Sequence, residues 1–218
     1  MPIVKPTVLD GGNLERQVAV GDILAGTELV PATIATTNIT VTGAILAQSL
    51  VLRSAGGASV ETIDTAANIV AALTAGLGLT GIENGTSWRV RWVVSTAFAH
   101  TLTATANTGI TVTNGIVNAS SCKDFLVQVL NGTPARTVTC STTNGSAVVT
   151  GLTDTDIRNL SVGMTVTNVV AGMQGFTIIG INAAAKTVTM SGNATSTGQV
   201  SVSFSPRITI TGIGNMLT

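Results

Sequence analysis

The 218-residue chain carries ten Lys plus Arg and ten Asp plus Glu, so its formal net charge is zero, and charged residues are only 9% of it. Ordinary globular proteins carry about 25%. That balance excludes a nucleic-acid surface built on a clustered positive face, and no apolar run approaches the ~18 residues of a membrane span. Length allows one large β domain or two small ones. Aromatic residues are 3%, with no Tyr, while Thr, Val, Ala, Gly and Asn recur. The β-branched residues favour a pleated strand surface, and Gly and Asn supply tight turns. Together they predict many short strands joined by short turns. A mean hydropathy of +0.51 with so little charge points to a surface covered by further subunits. The competing reading is that Thr inflates the index while its hydroxyl keeps the surface wet.

Residues 1–45 read as an extended N-terminal arm. Met1-Pro2-Ile3-Val4-Lys5-Pro6 lacks the regions of a signal peptide, and Lys5-Pro6 and Val30-Pro31 bias their surroundings towards extended backbone. Val18 to Leu24 reads as a short strand and turn, and Asn38 to Thr42 as another. The apolar residues of this arm, Ile3, Val4, Leu14, Val18, Val20, Ile23 and Leu24, need a partner surface and are candidate subunit contacts.

Residues 46–139 form the clearest domain, a β-sandwich or jelly-roll-like unit. Leu50 to Arg53 is a strand, followed by a Gly56-Gly57 loop. One helix is predicted next, with Asp64 as its N-cap, Ile69 and Leu73 on one face, and Gly76 and Gly78 at its end. From Trp88 the pattern has period two: Trp88, Val90, Trp92 and Val94 point one way, Arg89 and Arg91 the other. Both tryptophans are therefore core residues, and the two arginines face water or a partner. Further strands are read at His100 to Ala104, Ile110 to Thr113 and Asp124 to Leu130, with Asn114-Gly115 as a hairpin signal.

Residues 140–205 read as an inserted small β domain, with strands at 146–150, 160–166, 175–181, 186–190 and 199–204. Residues 206–218, beginning Pro206-Arg207-Ile208-Thr209, return to complete the first domain. Cys122 and Cys140 are too few for a disulfide scaffold; the expected state is two reduced, buried thiols, with a pairing left open.

The run Asp64 to Leu73, the Trp88–Val94 strand, Thr101-Leu102-Thr103, Gly109 to Val112 and the Phe125–Leu130 strand follow in an order that resembles a β module of tailed-phage virion proteins. Gly145 to Leu152, with Leu160-Ser161-Val162-Gly163-Met164, is similar to a second module of phage structural proteins. The resemblance covers most of the chain, on motifs made mainly of Gly, Thr and aliphatic spacing. It implies a homotrimeric protein on the virion exterior, made in the host cytoplasm. A capsid decoration (cement) protein bound to the major capsid protein is the first expectation, and a host-binding tail fibre or spike subunit the alternative. Scarce aromatics, which would stack on sugar rings, favour the first.

No enzymatic function is expected. The lone His100 has no nucleophile elbow nearby, and one His with two distant Cys falls short of a zinc site. Glu61 and Asp64 could pair for glycoside cleavage, but Asp64 is better read as the helix cap and Glu61 as its solvated neighbour. Asp154 and Asp156 resemble part of a calcium loop without its Gly and terminal Glu. The Gly76-Leu77-Gly78 and Gly212-Ile213-Gly214 runs lack the context of a phosphate cradle. No cofactor, metal, nucleic-acid, membrane or small-molecule partner is expected.

Overall fold

The computed structural model describes residues 32–48, 50–77 and 81–217. The fold is all-β with three short helices among these residues. The first strands alternate between two sheets. β1 (Ala32–Ile34), β3 (Leu50–Arg53), β5 (Ser87–Val94) and β7 (Ile110–Thr113) belong to one sheet. β2 (Thr40–Val41), β4 (Ser59–Ile63), β6 (His100–Ala104) and β8 (Ile116–Val117) belong to the other. The first sheet is completed by β9 (Ser121–Asn131) and the last strand of the chain, β16 (Arg207–Leu217), in the order β1-β3-β5-β9-β16-β7. The second has the order β2-β4-β6-β8.

β1, β3 and β5 pair in parallel, and so do β2, β4 and β6. Parallel neighbours need a crossover, and here each crossover is a pass through the opposite sheet. Successive turns of chain therefore stack as coils. The hairpin expected at Asn114-Gly115 is accordingly absent: β7 pairs with β16, and β8 with β6. Asn114, at φ 55°, turns the chain from one sheet to the other. A Cβ on Gly115 would lie 2.1 Å from the Leu102 carbonyl oxygen, so glycine is required by close approach of two backbones.

Both sheets and one helix enclose the first core. On β5 the inward residues are Val90, Trp92 and Val94, each at most 1% exposed. Trp92 meets Phe125 edge to face, with centroids 6.5 Å apart. Trp88 is half-buried against this core and donates its indole N–H to the Leu46 carbonyl at 2.6 Å. Helix α1 (Gly43–Leu46), unforeseen in the sequence, contacts α2 (Ala66–Leu77); a Cβ on Gly43 would sit 2.9 Å from that of Ala72. α2 buries Ala66, Ile69, Val70 and Leu73 along one stripe. Its cap is Thr65, whose hydroxyl accepts from the Asn68 N–H at 3.1 Å. Asp64, the expected cap, instead accepts from Thr65 N–H and the Asn68 amide. Gly76 lies inside the helix, and Gly78 falls outside the described residues.

The remaining strands surround a second core. β10 (Arg136–Thr142), β12 (Thr165–Val166) and β15 (Gly198–Ser205) form one three-stranded sheet, ordered β10-β15-β12. β11 (Val148–Val149), β13 (Ile178–Asn182) and β14 (Thr187–Met190) form another, ordered β11-β14-β13. Val138, Cys140, Met164, Met173, Met190, Val202 and Phe204 pack between them. The strand read at 160–166 shrinks to Thr165–Val166 because Ser161 to Gly163 turn, with Gly163 at φ 95°. Helix α3 (Asp154–Asn159) was not expected; Thr153 and Asp156 close a capping box at its start. Asn131, at the end of β9, donates to Ser161 Oγ and the Val162 carbonyl at 2.8 and 2.9 Å.

Candidate functional site

Strand β5 presents Arg89 and Arg91 outward, as its alternation predicts, and both are exposed. Arg91 stands in register with Asp124 of β9 and binds it in two places, Nε to Oδ1 at 2.7 Å and Nη2 to Oδ2 at 3.0 Å. The hydrogen bond from Arg91 holds the Asp124 carboxyl below its usual range. The same bond raises the Arg91 guanidinium further. Arg89 stands opposite Leu126 and makes no ion pair among the described residues. The other candidate contacts, Ile3, Val4, Leu14, Val18, Val20, Ile23 and Leu24, lie outside the described residues.

The largest departure from the sequence reading is inside the first core. Glu61 is fully buried, not solvated. Its Oε1 accepts from Arg53 Nε at 2.9 Å and Nη2 at 2.6 Å, and lies 2.7 Å from His100 Nδ1. Arg53 and His100 are also fully buried. The Arg53 guanidinium continues to the carbonyls of Ile34 at 2.9 Å and Thr36 at 2.8 Å. One cluster thus ties β3, β4 and β6 to the end of β1 and the segment just after it. Among the described residues, Glu61 Oε2 and His100 Nε2 have no hydrogen-bond partner. Period two groups Glu61 with Ser59 and Ile63 and sets exposed Val60 on the other face, so the alternation of β4 alone does not mark which face is covered. With all three side chains sealed from solvent, the arrangement staples two sheets together and offers no surface to a substrate.

A second buried charge, Lys123, was also missed. Its Nζ donates to Asn114 Oδ1 at 2.9 Å and to the Ile116 carbonyl at 2.7 Å. It sits 6.0 Å from the centre of the Phe125 ring. Burial pushes its pKa down, and its contacts close the corner where the chain changes sheets.

Among the described residues no group of three or more His, Cys, Asp or Glu could hold a metal ion. Asp156 is engaged in the α3 capping box, and Asp154 lies 3.2 Å from Lys186 Nζ. Gly212 and Gly214 fall within strand β16; a Cβ on Gly212 would meet the Asn114 carbonyl oxygen at 2.3 Å and Lys123 Cε at 2.5 Å. Both cysteines are free and buried, and burial pushes the Cys140 thiol up to about 11. No helix among the described residues is long and apolar enough to cross a membrane.

No family model, curated protein or solved structure matches the chain.

Proposed function

We propose that the chain is a capsid decoration (cement) protein on the exterior of a tailed-phage virion, binding the major capsid protein as a homotrimer and stabilising the head. The observation that carries this reading is the place of β1. Among the described residues it is the terminal strand of the six-stranded sheet, and residues 1–31 precede it in the sequence. An edge strand offers unpaired N–H and C=O groups, and strand addition at such an edge gains affinity from main-chain hydrogen bonds. Arg53, by holding the carbonyls of Ile34 and Thr36, fixes the root of the N-terminal segment to the core. A pull on that segment passes through charge-assisted bonds into both sheets, as a cement protein under outward capsid pressure requires.

The test is copy number in purified virions, by quantitative mass spectrometry against the major capsid protein. A number of the same order as the capsid protein is expected. A handful of copies would assign the chain to a tail fibre or spike, and absence from the virion would refute both. Deleting residues 1–30 should abolish capsid attachment while leaving a folded trimer; normal attachment of that variant would remove the arm from the mechanism.

A further inference from the structure

Lys123 is 1% exposed, and among the described residues it makes no ion pair. A buried charge without an opposite charge beside it is costly. The adjacent acid, Asp124, is taken by Arg91 on the outer face. Both hydrogen-bond partners of Lys123 are neutral: the Ile116 carbonyl at 2.7 Å and the side-chain amide of Asn114, whose Oδ1 lies 2.9 Å from Nζ. That amide is held from its other end as well, because Nδ2 donates to the Gly212 carbonyl at 3.1 Å. Room for the arrangement comes from Gly212, where a Cβ would press on both the Asn114 carbonyl oxygen and the Lys123 stem. The Phe125 ring lies 6.0 Å from Nζ, and the residue opposite Lys123 on β5 is the buried Trp92. Asn114 itself is exposed. An amine and a carboxamide are thus clamped together at the boundary between core and solvent.

We propose that Lys123 and Asn114 join in an intramolecular amide (isopeptide) bond, formed by the chain itself once it has folded. Nζ needs only to slip from Oδ1 to the adjoining Cγ to reach the separation of about 3–3.5 Å from which bonds form. Burial pushes the Lys123 pKa down, towards the neutral amine, which is the nucleophilic form. Nζ bonds to Cγ, the proton it sheds passes to Nδ2, and the Cγ–Nδ2 bond breaks with release of ammonia. One amide replaces another, so no electrons are gained or lost and no co-reactant is needed. The exposed side of Asn114 lets ammonia escape to water, while the sealed side of Lys123 keeps water from cleaving the product. The buried positive charge disappears altogether, which hydrogen bonds to neutral groups do not achieve. The bond locks β9 to the turn between β7 and β8, at the corner where the chain changes sheets. It is independent of what the protein attaches to.

The experiment is peptide mapping by mass spectrometry on the full-length chain, unfolded and digested with trypsin. Trypsin cuts after Lys and Arg, so a free Lys123 ends a peptide that begins at Trp92. The bond is expected to block that cut and give one peptide from Trp92 to Arg136, lighter by one ammonia and without fragment ions from inside the closed loop. Asn114→Gly, which keeps the positive φ of the turn, should restore cleavage at Lys123. Lys123→Met should give the Trp92 to Arg136 peptide with no ammonia lost. A wild-type chain at its full sequence mass, cut at Lys123, overturns the proposal. Ammonia loss with cleavage at Lys123 preserved also overturns it, because that marks cyclisation of Asn114 onto the Gly115 nitrogen, and so does conversion of Asn114 to Asp. Should either variant fail to fold, the wild-type map decides alone.

Discussion

Replacing Glu61 by Leu tests how much of the first core depends on its buried charges. The substitution keeps most of the volume and removes the acceptor that binds both Arg53 and His100. Arg53 retains its bonds to Ile34 and Thr36 but loses the two that reach Glu61. Hydrogen bonds to charged groups are worth about 1.5–3 kcal/mol each, so about 3–6 kcal/mol is at stake. Breaking a buried ion pair from one side costs about 3–5 kcal/mol by the same reasoning. In a chain of this size, about 2–4 °C of melting temperature per kcal/mol gives a fall of roughly 6–20 °C. The assay is urea unfolding followed by tryptophan fluorescence, because Trp88 and Trp92 both report on the first core. Arg53→Met combined with Glu61→Leu should cost much less than the sum of the single changes, since an apolar pair leaves no unpaired charge. A single-variant cost below about 1 kcal/mol, or simple additivity in the double variant, would refute the reasoning.

Gly115→Ala should destabilise the same core by about 1–3 kcal/mol, because its Cβ would press on the Leu102 backbone rather than a movable side chain; an unchanged urea midpoint would contradict the close approach. Thr153→Ala removes the α3 capping box and should cost about 1 kcal/mol, seen as faster amide exchange in residues 154–159, with the tryptophan signal unmoved. The Cys140 thiol is raised from its ordinary 9.0 to about 11 by burial, and secondarily by Asp156. The folded state holds that proton more tightly, so its stability contribution is complete below pH 9.0 and is lost as pH rises through about 11. Cys140→Ala should flatten the alkaline fall in stability, and an identical pH profile in both proteins would show the thiol is not its source.

Local chemistry alone determined a good deal of this protein. Thr and Val content, turn glycines and period-two runs predicted an all-β chain, and the run from Trp88 to Val94 predicted which side chains of β5 enter the core and that Arg89 and Arg91 leave it. These follow from the alternation of a single strand, which needs no partner to be read. The tertiary structure decided which strands meet. Asn114-Gly115 is a turn in either case, but only long-range pairing makes it a passage between sheets rather than a hairpin. A strand position is also solvated or buried only with respect to the sheet that covers it. Glu61 was therefore expected in solvent and Lys123 carried no expectation; Arg53 and His100 surround the first in the fold, and Asn114 and Ile116 the second. Helix α3 was missed because Thr153 and Asp156 act as a cap only once the chain between them has coiled. Burial of a charge depends on partners distant in sequence, and no local pattern encodes them.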